Sequence, residues 1–168
     1  MTRDEGRWTA SATGLWLGEL RVSFQRFALP ADVTVKRAPA SLGVLPVAAS
    51  GNCFLLPLAD EEGFWLGVEA PEGAALDLVT VEAIGTDGDR VLAAELRGMR
   101  FGLVTGSPLP HDVFRVFSRR WLRELGIAVG AAVAPVYPTD PETFSTLTGQ
   151  PVPPSLDASA GYGGWRLP

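Results

Sequence analysis

The stretch Cys53-Phe54-Leu55-Leu56-Pro57-Leu58, Ala59-Asp60-Glu61-Glu62-Gly63, Phe64-Trp65-Leu66-Gly67-Val68-Glu69 decides the fold class. Two apolar runs flank an acidic connection of five residues that ends in glycine. Both runs are rich in aromatic and aliphatic side chains and short for helices, so they read as buried strands. The connection has hairpin length, which predicts that the two strands pair as antiparallel neighbours. Ser50-Gly51-Asn52 before them and Ala70-Pro71-Glu72-Gly73 after them are turn signals.

The same pattern extends in both directions. Upstream, Leu15 to Leu29 reads as a strand in which Leu20, Val22 and Phe24 alternate with Arg21, Ser23 and Gln25. One face is apolar and the other polar. Pro30 ends it, Val33 and Val35 alternate in 32–37, and a turn-like 38–43 leads to Val44 to Ala48. Downstream, Leu76 to Ile84 and Arg90 to Leu96 flank Thr86-Asp87-Gly88-Asp89, a strong hairpin signal because glycine accepts positive φ. Met99 to Val104 and Asp112 to Phe117 read as strands separated by the loop Gly106 to Pro110.

The last third of the chain is more mixed. Trp121, Leu122 and Leu125 have helical spacing and Gly126 follows as a stop, which predicts a short helical turn over 119–125. Ala128 to Tyr137 reads as one strand. Thr139 to Thr148 reads as a helix, with Thr139 and Glu142 as a capping box, Pro141 in the first turn and Gly149 as the stop. Residues 150–168 carry prolines, then glycines, and read as an extended arm held by Leu156, Tyr162 and Trp165. The predicted fold is one all-β domain over 1–168. It is an antiparallel β-sandwich, with a barrel as the alternative and one short helix near 139–148.

Composition narrows the function classes. The chain has 168 residues, 46% hydrophobic and 20% charged, as expected of a folded domain. Mean hydropathy is +0.17, yet the longest apolar run, Ile127 to Tyr137, is interrupted by Gly130 and Pro135. No run approaches the roughly 18–20 residues of a membrane-spanning helix, so no membrane association is expected. The start, Met-Thr-Arg-Asp-Glu-Gly-Arg-Trp, shows no secretory signal pattern, and Cys53 is the single cysteine. Both point to a cytoplasmic protein without disulfides. A net charge of −5 disfavours nucleic acid. Lys36 is the one lysine among 14 basic residues, and such arginine, alanine, glycine and proline usage fits a GC-rich bacterial genome.

No catalytic motif appears. His111 is the only histidine, which excludes a multi-histidine metal site, and no cofactor is expected. A Cys53–His111 dyad competes with the plainer expectation that Cys53 is an inert thiol in an apolar strand. The acidic groups Asp60-Glu61-Glu62 and Asp87 with Asp89 read as solvated turns rather than calcium loops. The glycine-rich segments 85–88 and 102–106 match neither a P-loop nor a dinucleotide fingerprint.

Two features remain as candidate binding elements. Arg115, Arg119, Arg120 and Arg123 form the one basic cluster, interleaved with Phe114, Phe117 and Trp121. They suit an anion or an arginine–aromatic contact, against the alternative of solvated arginines over an inward-packing junction. Trp8, Trp16, Trp65, Trp121 and Trp165 are many tryptophans for this length, and Trp65 reads as core. These features suggest a non-catalytic interaction or assembly protein that binds a protein partner or itself. The alternatives are a small-molecule or carbohydrate-binding module and an enzyme using carboxylates gathered by the fold.

Overall fold

The computed structural model describes residues 6–156, so Tyr162, Trp165 and most of the expected C-terminal arm lie outside the described residues. Along the chain, β1 (Trp8–Ser11), β2 (Gly14–Leu17) and β3 (Leu20–Ala28) form an antiparallel meander. A Cβ on Gly14 would lie 2.1 Å from the Val22 carbonyl oxygen, so only glycine fits where β2 meets β3. The single strand expected over 15–29 therefore contains a turn, at Gly18-Glu19. β4 (Thr34–Val35), β5 (Ala48–Ser50), β6 (Cys53–Pro57) and β7 (Glu62–Glu69) follow. Then come β8 (Val79–Gly85), β9 (Arg90–Leu96), β10 (Phe101–Val104), β11 (Ser107–Leu109) and β12 (Val113–Arg115). The described chain ends with β13 (Leu122–Val129), β14 (Ala132–Thr139), α1 (Pro141–Thr148) and an irregular segment to Leu156.

The strands form a sandwich-like all-β fold without a closed barrel. One sheet has the order β1-β2-β3-β7-β10, the other β5-β6-β14-β13-β8-β9, and β11-β12-β4 make a small third sheet. All pairs are antiparallel except β6 with β14. The main core lies between the two large sheets. Val22 and Phe24 of β3 and Phe64, Leu66 and Val68 of β7 face Leu56, Val81, Ala83, Leu125, Ile127 and Val136. A second cluster, Phe27, Trp65 and Val116, covers part of the outer face of the five-stranded sheet. A third sets Phe144 of α1 on Ala48 and Leu55, with Cys53 and Tyr137 beside it.

The expected hairpin between 53–58 and 64–69 does not form. β6 pairs with β5 and β14, whereas β7 pairs with β3 and β10 in the other sheet. Neither run alternates, so neither specifies a partner or a register. Every residue of β7 from Glu62 to Val68 is buried, and such a strand belongs in a sheet centre with neighbours on both edges. The 58–61 segment instead carries the chain from one sheet to the other. Its ends are tied by Leu58 N–H donating to Thr139 O (2.8 Å) and Glu62 N–H donating to Ala59 O (3.1 Å).

Other expectations fare differently. The Asp87-Gly88 hairpin forms between β8 and β9, with Gly88 at φ 89° and Asp87 Oδ1 accepting from Asp89 N–H. The helical turn expected over 119–125 is a turn only as far as Leu122, whose N–H reaches Ser118 O, and then a strand. A bulge between Leu122 and Glu124 inserts one residue, so Leu122 and Leu125 both face the core. A bulged strand thereby reproduces the three-residue spacing of a helix. Gly126 is strand interior opposite Pro135, not a helix stop. The expected strand over 128–137 is split by a turn at Gly130-Ala131, where Gly130 has φ 57°. Helix α1 lies where expected, but its N-cap is Asp140, which accepts from Thr143 N–H at 2.8 Å, rather than Thr139. Gly149 closes it in the left-handed region.

Gly63 shows how closely the second cluster is packed. A Cβ there would lie 2.4 Å from Val116 Cγ1 and 3.1 Å from Phe27 Cζ, and both side chains are fully buried. Gly63→Ala is expected to cost about 1–3 kcal/mol by overpacking, lowering Tm by several degrees in thermal denaturation. An unchanged Tm would show that the small third sheet yields freely.

Candidate functional site

The predicted arginine cluster disperses over the surface. Arg115 of β12 places its guanidinium 5.3 Å from the Trp121 ring centroid. Trp121 donates its indole N–H to Val116 O and stacks on Phe117 at 6.1 Å. Arg119 turns the other way, 2.9 Å from Asp60 Oδ1. Arg120 and Arg123 are exposed, the latter on β13. The structure thus joins Arg115 to Trp121 and Arg119 to the acidic 60–62 loop. The candidate dyad partners are also in different settings. Cys53 Sγ donates to Ser50 O at 3.0 Å beneath α1, whereas His111 is exposed in the β11–β12 turn. Among the described residues no group of three His, Cys, Asp or Glu side chains is placed to hold a metal ion. No helix among them is long and apolar enough to cross a membrane.

Arg119 lines a cavity of about 340 Å³ with Arg26, Asp60, Glu62 and Asp140, at one end of the sandwich. Glu62 is almost completely buried, with Oε1 3.6 Å from Arg26 Nη1. Burial raises its pKa above the ordinary 4.5, and the Arg26 charge only partly opposes this. Arg26 also donates to Pro154 O at 2.7 Å, which fastens the 150–156 segment over the cavity. Asp140 moves the opposite way: hydrogen bonds from Thr143 hold its carboxyl below the usual range. Two carboxyls with divergent acidities in one cavity are what an acid–base site requires. Here each has a structural cause, since Asp140 caps α1 and Glu62 is committed to Arg26. The cavity is built as a junction between sheets, helix and tail.

The outer face of the five-stranded sheet offers a different chemistry. Its side chains stand in cross-strand rows fixed by register. Trp16, Arg21, Glu69 and Phe101 form one row, and Ser23, Gly67 and Leu103 form the next. Gln25 and Trp65 follow. β3 extends beyond β2, and residues 42–45 fill that gap as a further antiparallel partner. Arg26 N–H donates to Gly43 O (2.9 Å), and Leu42 N–H donates to Arg26 O (2.8 Å). This added segment walls a concavity of about 260 Å³ whose lining includes Arg21, Ser23, Gln25, Trp65, Glu69 and Phe101, with Ser41 at the wall.

A hydrogen-bonded chain runs along one side of it. Ser41 Oγ donates to Gln25 Oε1 (2.6 Å), and Gln25 Nε2 donates to Ser23 Oγ (2.8 Å). Trp65 is buried beneath, its indole N–H donating to Pro39 O at 2.8 Å. Gly67 leaves room for the aromatic wall. A Cβ there would sit 3.5 Å from Phe101 Cζ and 2.9 Å from Ser23 Oγ, so the Phe101 ring leans over Gly67 while 41% exposed. The polar row of β3 was legible as alternation in the sequence. Glu69 and Phe101 were not, because only the β3–β7–β10 pairing brings them beside it.

Comparison of the chain with protein-family models, with curated proteins and with solved structures finds no match.

The buried pair gives a pH test. Because its folded pKa is raised, Glu62 destabilises the fold above that pKa, and this cost is relieved as pH falls through it. Glu62→Gln is expected to raise stability near neutral pH in urea denaturation. The gain should shrink on acidification and vanish below about 4.5, the ordinary glutamate value. A neutral-pH loss of stability in Glu62→Gln would mean that the Arg26 pairing outweighs the burial cost.

Proposed function

We propose that the chain is a non-catalytic binding module whose ligand is a small hydroxylated molecule of the carbohydrate class, seated on the outer face of the five-stranded sheet. The observation that carries this reading is the concavity in which the exposed Phe101 ring stands beside Ser23, Gln25 and Ser41. A sugar ring presents C–H groups on its faces and hydroxyls around its rim. An aromatic wall takes the first and a row of amide and hydroxyl groups takes the second. The carboxylate-enzyme reading finds less support, because each carboxylate is already engaged: Asp140 caps α1, Asp60 pairs with Arg119, and Glu62 is buried against Arg26.

A second reading, an interaction or assembly protein, is favoured by β10. It is the edge strand of its sheet, and Phe101 and Leu103 are 41% and 39% exposed on one face of it, with Met99 just before. An unpaired edge with apolar side chains suits strand addition by a protein partner or a second copy. The Arg115–Trp121 pair is an arginine–aromatic contact of the kind such partners use. A chain that stays monomeric by light scattering at high concentration would count against self-association.

Titration with a panel of neutral oligosaccharides, followed by tryptophan fluorescence, is expected to give a saturable change reported by Trp65. Phe101→Ala should weaken binding roughly three- to tenfold, the scale of one aromatic contact. No response from any sugar, or full affinity in Phe101→Ala, would remove the carbohydrate reading.

A further inference from the structure

The binding face contains an ion pair that is not made. Arg21 and Glu69 are direct cross-strand partners on the same side of the sheet. Opposite charges in that position ordinarily pair. Here Arg21 still lines the concavity, but its guanidinium is turned towards the β1–β2 turn: Nε and Nη2 both donate to Thr13 O, at 3.3 and 3.1 Å, so its charge is engaged there rather than on Glu69. Its guanidinium also lies 5.8 Å from the Trp16 ring centroid. Glu69 is left exposed, with no ion pair or side-chain hydrogen bond among the described residues.

The other cross-strand neighbour of Glu69 is Phe101. Side chains directly opposite on antiparallel strands have Cβ atoms about 4.5–5.5 Å apart. An unpaired carboxylate and a half-exposed aromatic ring therefore stand side by side at one end of the concavity. That combination is selective. A carboxylate attracts an ammonium directly, and the negative face of the ring adds a cation–π contribution. An anionic ligand would meet an unpaired negative charge on a chain whose net charge is already −5.

Resting on the carbohydrate reading above, we infer that the ligand is an amino sugar with a free, protonated amine, held by Glu69 and Phe101. The hydroxyls of the ring lie along the Ser23–Gln25–Ser41 chain, and Arg21 is kept off the carboxylate by Thr13 and Trp16. Glu69 sets specificity and does no chemistry.

The experiment compares three probes by calorimetry: the trimer of glucosamine, the trimer of N-acetylglucosamine and the trimer of galacturonic acid. The N-acetyl form keeps the ring and removes the charge, and the uronic form reverses the charge. The free-amine trimer is expected to bind roughly three- to thirtyfold more tightly than the N-acetyl trimer, an ion pair and a cation–π contact acting together. Added salt should narrow that margin, and the uronic trimer should bind most weakly. Glu69→Gln, an exposed substitution checked for folding by circular dichroism, should abolish the preference of the free-amine trimer over the N-acetyl trimer and the salt dependence of that margin. Equal binding of the amine and N-acetyl trimers, or a preference that survives Glu69→Gln, overturns the inference and leaves the carbohydrate reading standing. Failure of all three trimers to bind overturns both.

Discussion

Strand β7 is buried on both faces, and satisfying it organises the rest of the structure. Phe64, Leu66 and Val68 point into the space between the large sheets, while Trp65 points the other way into a second cluster with Phe27 and Val116. From Glu62 to Val68 every residue is buried, so the strand requires cover on each face and a pairing partner on each edge, while Glu69 at its end is exposed. β3 pairs along its whole length on one edge, and β10 with the Phe117 bridge takes the other. The six-stranded sheet covers one face. Segment 29–47 and the small third sheet cover half of the other, and that half-covering creates the concavity.

Glycines in β7 show how the two halves differ. At Gly63 the missing side chain admits Val116 and Phe27, and the outer face is closed. At Gly67, two rows along, the missing side chain admits the Phe101 ring from the neighbouring edge strand, and the face stays open. The same residue type on the same strand serves close packing at one end and an open concavity at the other. An aromatic line, Phe24–Phe64–Phe117–Trp121, crosses the molecule with ring separations of 5.7, 5.4 and 6.1 Å. It links the core to Trp121, on which Arg115 rests.

Much of the element inventory was legible in the sequence, and the errors have identifiable physical origins. Alternation of period two exposed β3, and the Asp87-Gly88 pair exposed the β8–β9 turn, because both signals are local. The 53–69 stretch misled because continuous burial removes the alternation that encodes pairing. The 119–125 stretch misled because a bulge reproduces helical spacing. At α1, Asp140 displaced Thr139 as N-cap by one position, since either residue can accept from an amide of the first turn. The arginines were visible as a cluster in sequence, yet neighbouring residues on a turn and a strand diverge, and Asp60 captures Arg119 alone.

By itself the sequence determined the β class, the short helix near 139–148, the Asp87-Gly88 turn, and the burial of the runs 53–58 and 64–69, but not the turns at Gly18 and Gly130. Those properties follow from local sterics and from the hydrophobicity of each run. Only the tertiary structure decided which strands pair, and with that which side chains share a face. Trp16, Arg21, Glu69 and Phe101 come from four strands, and nothing in their sequence spacing relates them. The opening stretch carries both lessons: its composition dictates two buried strands, but burial is a demand for neighbours and does not name them. The neighbours were chosen by long-range packing, which sent 53–57 and 62–69 into different sheets and set side chains of four strands in one row on the outer face of the second.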